Sequence, residues 1–292
     1  MSLSNAQAIT YLNFVNSAYL MYGQDGHDLR PPAIGLPPGY GITAYMSSID
    51  PDSGQRVFFG FLAGSPNLQA PAILAIRGTY NWSEWLTDAD LLPIAFPPYS
   101  NDQSTAYVET GFYEFYQGIA WLPPHGSGAD FMATLDAVGT NHQGIVIVGH
   151  SLGGSMATLL AADLSVSAPN LKVQLVTAAS PATGDETFVD QFNQMVPNSY
   201  RYINDFDTVA SFLDGLYTQV DTGIQLYSYD IYPTPECEHS LFTYIYLLSP
   251  DGTPCTTDCC ILTGDTETRN QVRILHAMRQ RRLAVLRGGA LD

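Results

Sequence analysis

The junction inside "IVIVGHSLGGSMATLLAADL", residues 145–164, constrains the fold more than any other stretch of this chain. Four apolar residues run into Gly149-His150-Ser151-Leu152-Gly153, a G-x-S-x-G sequence, and a run rich in small residues follows. This order predicts a buried strand, a sharp turn at Ser151 and a helix that packs closely on the sheet. The alternative is an ordinary corner whose serine only caps the helix. Strand, turn and paired glycines together favour a nucleophile, because such a turn exposes the serine hydroxyl at the sheet edge.

The composition excludes several classes of protein. The chain has 292 residues, of which 46% are hydrophobic and 13% charged, as in a folded globular protein. Its 28 acidic and 11 basic residues give a formal charge of -17, which repels polyanions, so we expect no nucleic-acid partner. No apolar run reaches the roughly 18 to 20 residues that a membrane-spanning helix needs, so we expect no transmembrane segment.

Strand-like and helix-like patterns alternate along the second half of the chain. Short apolar runs predict strands over residues 57–63, 72–77, 145–149, 173–179 and 200–204. Apolar residues at helical spacing predict helices over about residues 5–22, 153–166 and 186–195. We therefore predict an α/β fold with a mostly parallel central sheet flanked by helices.

A serine nucleophile needs a histidine to take its proton and a carboxylate to orient that histidine. The partners normally follow in the order Ser, Asp, His. Asp205 and Asp207 both come directly after the predicted strand 200–204, and spacing does not choose between them. His239 lies in a loop before an aromatic run, whereas His276 lies among arginines that would oppose its protonation. We therefore favour His239 as the base.

Two backbone N–H groups are candidates for stabilising an oxyanion. Leu152 opens the helix directly behind Ser151, where free N–H groups and the positive end of the helix dipole face the site. Thr79 follows the predicted strand 72–77, in the position where a second donor is normally found. We expect His150, the neighbour of Ser151, to point away from the nucleophile.

Several pieces of the chain, in order, resemble the class 3 lipase family, the fungal-type α/β-hydrolases that act on triacylglycerols and related esters. The pieces span residues 72–244 and are "AIRGT" with "NWSEWLTDADLL", "VETGFYEFYQGI", "VIVGHSLGGSMATLLAADL", "RYINDFDTVASF" and "HSLFTY". Several motifs in the family's order are far more specific than a lone G-x-S-x-G. The resemblance implies an α/β-hydrolase fold, and we expect residues 1–292 to form a single domain of it.

The resemblance also implies roles for individual residues: nucleophile Ser151, acid Asp207, base His239, and oxyanion donors Thr79 and Leu152. It implies a lid over about residues 80–86, in which Trp82 and Trp85 would contact the substrate. The alternative is that both tryptophans belong to the core. One departure is Glu109, in "ETGF", where relatives often have a histidine.

The region after residue 246 has no counterpart in that family, and we expect residues 247–292 to form a cysteine-containing, basic, helical extension. Clustering favours disulfides over free thiols for the four cysteines, Cys237, Cys255, Cys259 and Cys260. An alternative is a zinc site of Cys237, His239, Cys255 and Cys259, which would compete with the triad for His239; we expect no metal. The arginine-rich pattern over 270–287 is suited to an anionic membrane or, preferably, to the protein's own acidic surface.

The motifs and the resemblance together imply a carboxylic ester hydrolase, a triacylglycerol lipase that works through an acyl-enzyme and needs no cofactor. Within that fold the alternatives are a short-chain, feruloyl or phospholipid esterase. A catalytically inactive binding module is the alternative from another class. The expected partners are an ester or lipid substrate and, transiently, a lipid surface. The first residues lack a secretory signal, so an extracellular setting is expected only if a signal peptide preceded Met1.

Overall fold

The computed structural model describes residues 3–50, 53–79, 91–125, 134–135, 143–220, 223–249 and 274. Helices α1 to α6 cover, in chain order, Asn5–Gln24, Thr110–Gln117, Leu152–Ser167, Glu186–Met195, Pro235–His239 and Leu241–Leu248. Strands β1 to β10 cover Gly41–Ile49, Arg56–Gly64, Ala72–Ile76, Pro93–Ala95, Tyr107–Glu109, Ala120–Leu122, Ile145–His150, Val173–Ala178, Ser199–Asn204 and Gly223–Leu226.

Within the described residues, eight strands form one sheet in the order β10-β9-β8-β7-β3-β2-β1-β6. Five of these strands pair in parallel, namely β3, β7, β8, β9 and β10, whereas β2, β1 and β6 add an antiparallel edge. Strands β4 and β5 form a separate antiparallel pair. The predicted α/β fold with a mostly parallel sheet is thereby confirmed.

The sheet lies between two layers of helices, and alternation along β7 shows how. Ile145 and Ile147 pack into a core with the residues of α3 and α4, whereas Val146 and Val148 pack into a second core with α1 and α6. Successive side chains of a strand point to opposite faces, so one uniformly apolar run fills both cores. Strand β7 therefore lies at the centre of the protein, and its carboxyl end carries Ser151.

Helix α1 begins with a capping box in which Ser4 and Gln7 each bond the other's backbone N–H. It packs one face on the sheet and ends at Gln24, two residues beyond the predicted end. Among the described residues, membrane-spanning helices are absent, since none combines the required length with sufficient apolarity.

The sequence patterns locate the central elements closely. Helix α4 has the predicted bounds, and β7 and β9 each differ from their predicted ranges by one residue at one end. In the antiparallel edge, β2 was predicted over 57–63, whereas β1 and β6 were not; β1 buries polar Ser47 and Ser48. The Ser47 hydroxyl donates to the Ala120 carbonyl and the Ser48 hydroxyl to that of Phe115. Because these hydroxyls have partners, the strand can be buried although its sequence lacks the apolar pattern of a buried strand.

Close packing of α3 on β3 depends on Gly153, so we expect Gly153→Ala to lower the free energy of unfolding. A Cβ there would lie 2.4 Å from the Arg77 carbonyl oxygen and 2.5 Å from that of Ile76. Relieving this overlap requires a backbone shift that costs about 1–3 kcal/mol. Denaturant titration measures the loss, and Gly41→Ala, whose Cβ meets nothing within 4 Å, is the matched control. Equal stability of the two variants would contradict this packing.

Candidate active site

Ser151 occupies a strained backbone position between β7 and α3. Its φ of 58° and ψ of -133° lie in a region that residues with a Cβ rarely adopt. The serine side chain makes no capping hydrogen bond to the helix, so the alternative of a simple N-cap serine is wrong. The turn leaves the hydroxyl available for other partners.

The side chains of Ser151, His239 and Asp207 form a continuous series of hydrogen-bond contacts. His239 is the last residue of α5, so the predicted loop position of this histidine is wrong. Ser151 Oγ lies 2.8 Å from Nε2 of His239, and Nδ1 of His239 lies 2.9 Å from Oδ2 of Asp207. All three residues are buried, with at most 4% of their surface exposed. A carboxylate only accepts, so Nδ1 carries a proton and Nε2 of the neutral ring accepts from the serine. Of the two carboxylates that spacing left open, Asp207 is the one that bonds the histidine.

Asp207 has two further hydrogen-bond partners besides His239. Its Oδ1 accepts the backbone N–H of Val209 at 2.9 Å, and its Oδ2 also accepts the hydroxyl of Tyr244 at 2.7 Å. Burial, and then the charge of Asp207, raises the pKa of Tyr244 well above its usual value, so this hydroxyl remains a donor. Tyr244 Oη in turn accepts the backbone N–H of Asn204 at 3.1 Å. Sequence patterns did not single out Tyr244, although it lies in the "HSLFTY" motif.

The loop after β3 lies against Ser151 at Gly78, the residue before Thr79. A Cβ on Gly78 would lie 2.7 Å from Cβ of Ser151, so only glycine permits this approach. Nη1 of Arg77 donates to the Gly78 carbonyl at 2.7 Å, and its Nε donates to the Phe58 carbonyl at 3.0 Å. The Gly78 carbonyl and the Thr79 N–H belong to one trans peptide and point in opposite directions. Fixing that carbonyl therefore also fixes the direction of the Thr79 N–H.

The second candidate donor, Leu152, is the first residue of α3. The first N–H groups of a helix lack partners within the helix and carry its positive partial charge. Leu152 and Thr79 thus belong to two different elements, one directly after Ser151 and the other next to Gly78.

His150 has no hydrogen bond to the Ser151 hydroxyl, but it contacts the backbone of His239. Its Nε2 lies 2.8 Å from the carbonyl oxygen of His239, and its Nδ1 lies 2.9 Å from the hydroxyl of Tyr19 on α1. Burial, and then the proximity of His239, lowers the pKa of His150 well below 6.5. The ring is therefore neutral near pH 7. Neither Tyr19 nor His150 was predicted to belong to the site.

Glu109 replaces the family's frequent histidine without entering the triad. It is fully buried and caps α2, accepting the N–H groups of Gly111 at 2.9 Å and Phe112 at 2.7 Å. A carboxylate at a helix N-terminus is favoured by both the free N–H groups and the helix dipole. The departure therefore has a local structural explanation.

Other predicted features lie outside the described residues, or partly so. They are the whole lid range 80–86 with Trp82 and Trp85, the extension 247–292 apart from residues 247–249 and 274, and with it His276, Cys255, Cys259 and Cys260. Cys237 is disulfide-bonded, as clustering favoured. The zinc alternative loses two of its four ligands, because the Cys237 sulfur is in a disulfide and both ring nitrogens of His239 have partners.

Residues 73–214 match the family described as lipase (class 3). This segment belongs to the class 3 lipase family. The resemblance inferred from the motifs is thereby confirmed. The class 3 lipase match contains Ser151 and Asp207, whereas His239 and Tyr19 lie outside it.

Individual relatives of this class 3 lipase segment are distant. The chain is 27% identical over 159 residues to secreted mono- and diacylglycerol lipase 1 of Fusarium solani, covering 53% of this chain and 43% of that protein. It is 28% identical over 145 residues to phospholipase A1-II 2 of Oryza sativa subsp. indica, covering 42% and 36%. The chain thus spans less than half the length of these two relatives.

The fold has counterparts among solved structures. A lipase from Rhizopus microsporus var. chinensis superimposes with a TM-score of 0.58 at 18% identity, covering 77% of this chain and 74% of that one. At this identity the likeness concerns the fold alone, and it agrees with the α/β-hydrolase class expected from the motifs.

Strain at Ser151 predicts that removing its Cβ stabilises the protein. Strain in such a backbone region is worth about 1–3 kcal/mol, and glycine loses about 0.5–1 kcal/mol through its larger freedom in the unfolded chain. We expect Ser151→Gly to exceed Ser151→Ala in free energy of unfolding by about 1 kcal/mol. Denaturant unfolding of the two variants, both of which lack the hydroxyl, measures this difference. A less stable glycine variant would contradict the strain.

Neutral His150 makes stability depend on pH. Its folded pKa is lowered, so the unfolded chain binds the extra proton as the pH falls below about 6.5, and stability present above that pH is lost. We expect His150→Gln, which cannot titrate, to flatten the decline by up to about 1.4 kcal/mol per pH unit between pH 6 and 4. Urea unfolding of both proteins across this range measures the slopes. Parallel curves would show that His150 protonates equally in both states.

Proposed function

We propose that this chain is a serine-dependent carboxylic ester hydrolase. The observation that carries the proposal is the unbroken chain of contacts from Ser151 Oγ through His239 to Asp207, at 2.8 and 2.9 Å. Hydrogen-bond contact between nucleophile and base, with the base oriented by a third group, is the signature of an activated serine. A binding module that had lost catalysis would have no need to keep all three groups in this geometry.

The first half of the reaction forms an acyl-enzyme. Nε2 of His239 takes the hydroxyl proton as Oγ of Ser151 bonds to the ester carbonyl carbon, and the carbonyl π electrons move onto its oxygen. Backbone N–H groups of Thr79 and Leu152 stabilise that oxyanion. Asp207 stabilises the imidazolium. When the oxyanion collapses, the C–O bond to the alcohol breaks and the imidazolium protonates the departing oxygen.

The second half releases the acid. His239 takes a proton from water, whose oxygen attacks the acyl carbon and displaces Oγ of Ser151, which recovers its proton from the imidazolium. The reaction consumes water and needs no metal or redox group. Tyr244 and the backbone N–H of Val209 keep Asp207 in place throughout, because neither contact involves a group that changes protonation.

The proposed substrates are acylglycerols, with phospholipids as the second candidate. Supporting the first is the similarity to a secreted mono- and diacylglycerol lipase, and supporting the second is the similarity to a phospholipase A1. Short-chain and feruloyl esters remain alternatives within the same chemistry. The catalytic residues do not distinguish these classes, because each class presents the same carbonyl group to Ser151.

The two neighbouring aspartates give a sharp test of the mechanism. We expect Asp207→Asn to lower kcat on p-nitrophenyl butyrate about 10⁴-fold, because an amide stabilises the wrong tautomer of His239. We expect Asp205→Asn, the matched control that removes a charge two residues away, to stay within about twofold, because both ring nitrogens of His239 are bonded to other residues. Ser151→Ala measures the background. Comparable losses in the two aspartate variants would contradict the assignment of the acid.

Substrate class is tested with p-nitrophenyl esters from acetate to palmitate, emulsified triacylglycerol and phosphatidylcholine vesicles. Turnover that requires Ser151 and extends to long chains and to emulsion is the result expected of a lipase. Fatty-acid release from vesicles with none from emulsion would favour the phospholipase. Activity confined to short soluble esters would exclude both lipid substrates, and no Ser151-dependent turnover of any ester would overturn the proposed hydrolase.

A further inference from the structure

We propose that Tyr19 and His150 are positioning residues that couple residues 77–79, here called the oxyanion loop, to the catalytic base His239. The inference rests on the proposed function of Ser151 and His239. Tyr19 lies on α1, more than fifty residues before the oxyanion loop, and its hydroxyl contacts both that loop and His150. His150 then contacts the backbone of His239.

The direction of every hydrogen bond in this chain follows from what each group is able to donate. The His239 carbonyl only accepts, so Nε2 of His150 is the donor across 2.8 Å. In the neutral ring Nδ1 is then the acceptor, so the Tyr19 hydroxyl donates to it across 2.9 Å. The Gly78 N–H only donates, so Tyr19 Oη accepts it across 2.8 Å. One tautomer of His150 satisfies all three contacts.

The two ends of this series of hydrogen bonds contact the parts of the site that must be placed most accurately. Gly78 precedes the candidate donor Thr79 and lies against Ser151. His239 carries the proton between nucleophile and leaving group. Tyr19 holds the N–H side of Gly78 while Arg77 holds its carbonyl, so both peptide units of this glycine are fixed.

Helix α1 contacts this loop at a second point. The Arg77 guanidinium lies 3.5 Å from the centroid of the Tyr22 ring, one turn along the same helix from Tyr19. Tyr19 and Tyr22 therefore contact adjacent residues of the loop. The Tyr19 hydroxyl bonds Gly78, and the Tyr22 ring packs against Arg77. Placement of the oxyanion loop thus depends on how α1 docks on the sheet.

Removing the Tyr19 hydroxyl leaves the Gly78 N–H and His150 Nδ1 without this partner, while the triad contacts stay intact. We expect Tyr19→Phe to lower kcat on p-nitrophenyl butyrate about 10- to 100-fold with KM within about twofold, because small misplacements of reacting groups slow the chemical step. The matched control is Tyr11→Phe, which removes a hydroxyl from the same helix. We expect its kcat to equal that of the wild type.

His150 variants separate positioning from a general loss of structure. We expect His150→Leu, which removes the donor to the His239 carbonyl, to show the same kcat loss, and His150→Gln, whose amide can donate there, to recover part of it. The double variant Tyr19→Phe/His150→Leu should lose little more than the worse single variant, because residues that act as a unit are non-additive. Circular dichroism and thermal unfolding establish that each variant is folded.

The outcomes distinguish this inference from the function on which it rests. Folded Tyr19→Phe with wild-type kcat, or losses that multiply in the double variant, would overturn the coupling while leaving the hydrolase intact. Equal activity of His150→Gln and His150→Leu would also overturn it, and this pair decides the matter if Tyr19→Phe does not fold. Wild-type protein without Ser151-dependent turnover would overturn the proposed function, and the coupling with it.

Discussion

The turn between β7 and α3 is the constraint on which the rest of the structure depends. A serine with φ of 58° is unfavourable in isolation, so the surrounding packing must hold it. Gly153 lets α3 approach the end of β3 closely, and Gly78 lets the next loop lie against the serine Cβ. Each glycine removes the one atom that would push these elements apart. The strained turn and its close neighbours are therefore parts of a single packing arrangement.

Burial around this turn makes the direction of each hydrogen bond important. Asp207, His239 and Ser151 are almost entirely buried. In a buried site, an unpaired charge or an unpaired proton donor costs free energy. The Asp207 carboxylate accepts from Tyr244, Val209 and His239, and the first two of these donors do not change protonation in the proposed reaction. Beside it, neutral His150 adds no positive charge next to a base that must itself become positive during turnover. The site thus accommodates the one charge change that the proposed reaction requires.

Local signals account for what the sequence predicted, and long-range packing accounts for what it did not. Strand β7, the turn and α3 are contiguous, so their order and small residues identify them directly. Asp207 follows a strand whose end is recognisable, although choosing it over Asp205 needed the resemblance to a family. In the sequence, Tyr19 is one of several apolar positions on an amphipathic helix. Its contacts with the site depend on which face of α1 packs on the sheet and where along the strands it packs, and the sequence pattern does not give either. Ser47 and Ser48 mislead in the same way, since their partners are distant carbonyls.

The family match and the site do not have the same limits. Residues 73–214 include the proposed nucleophile Ser151, the proposed acid Asp207, both candidate oxyanion donors and His150. The base His239 and the tyrosines at 19 and 244 come from segments before and after that range, yet each lies within hydrogen-bond distance of a residue inside it. Helices α1 and α6 pack together in one core on the same face of the sheet, which brings the two ends of the described chain to the site. The matched segment thus contains only part of the proposed site, and the docking of these flanking helices completes it.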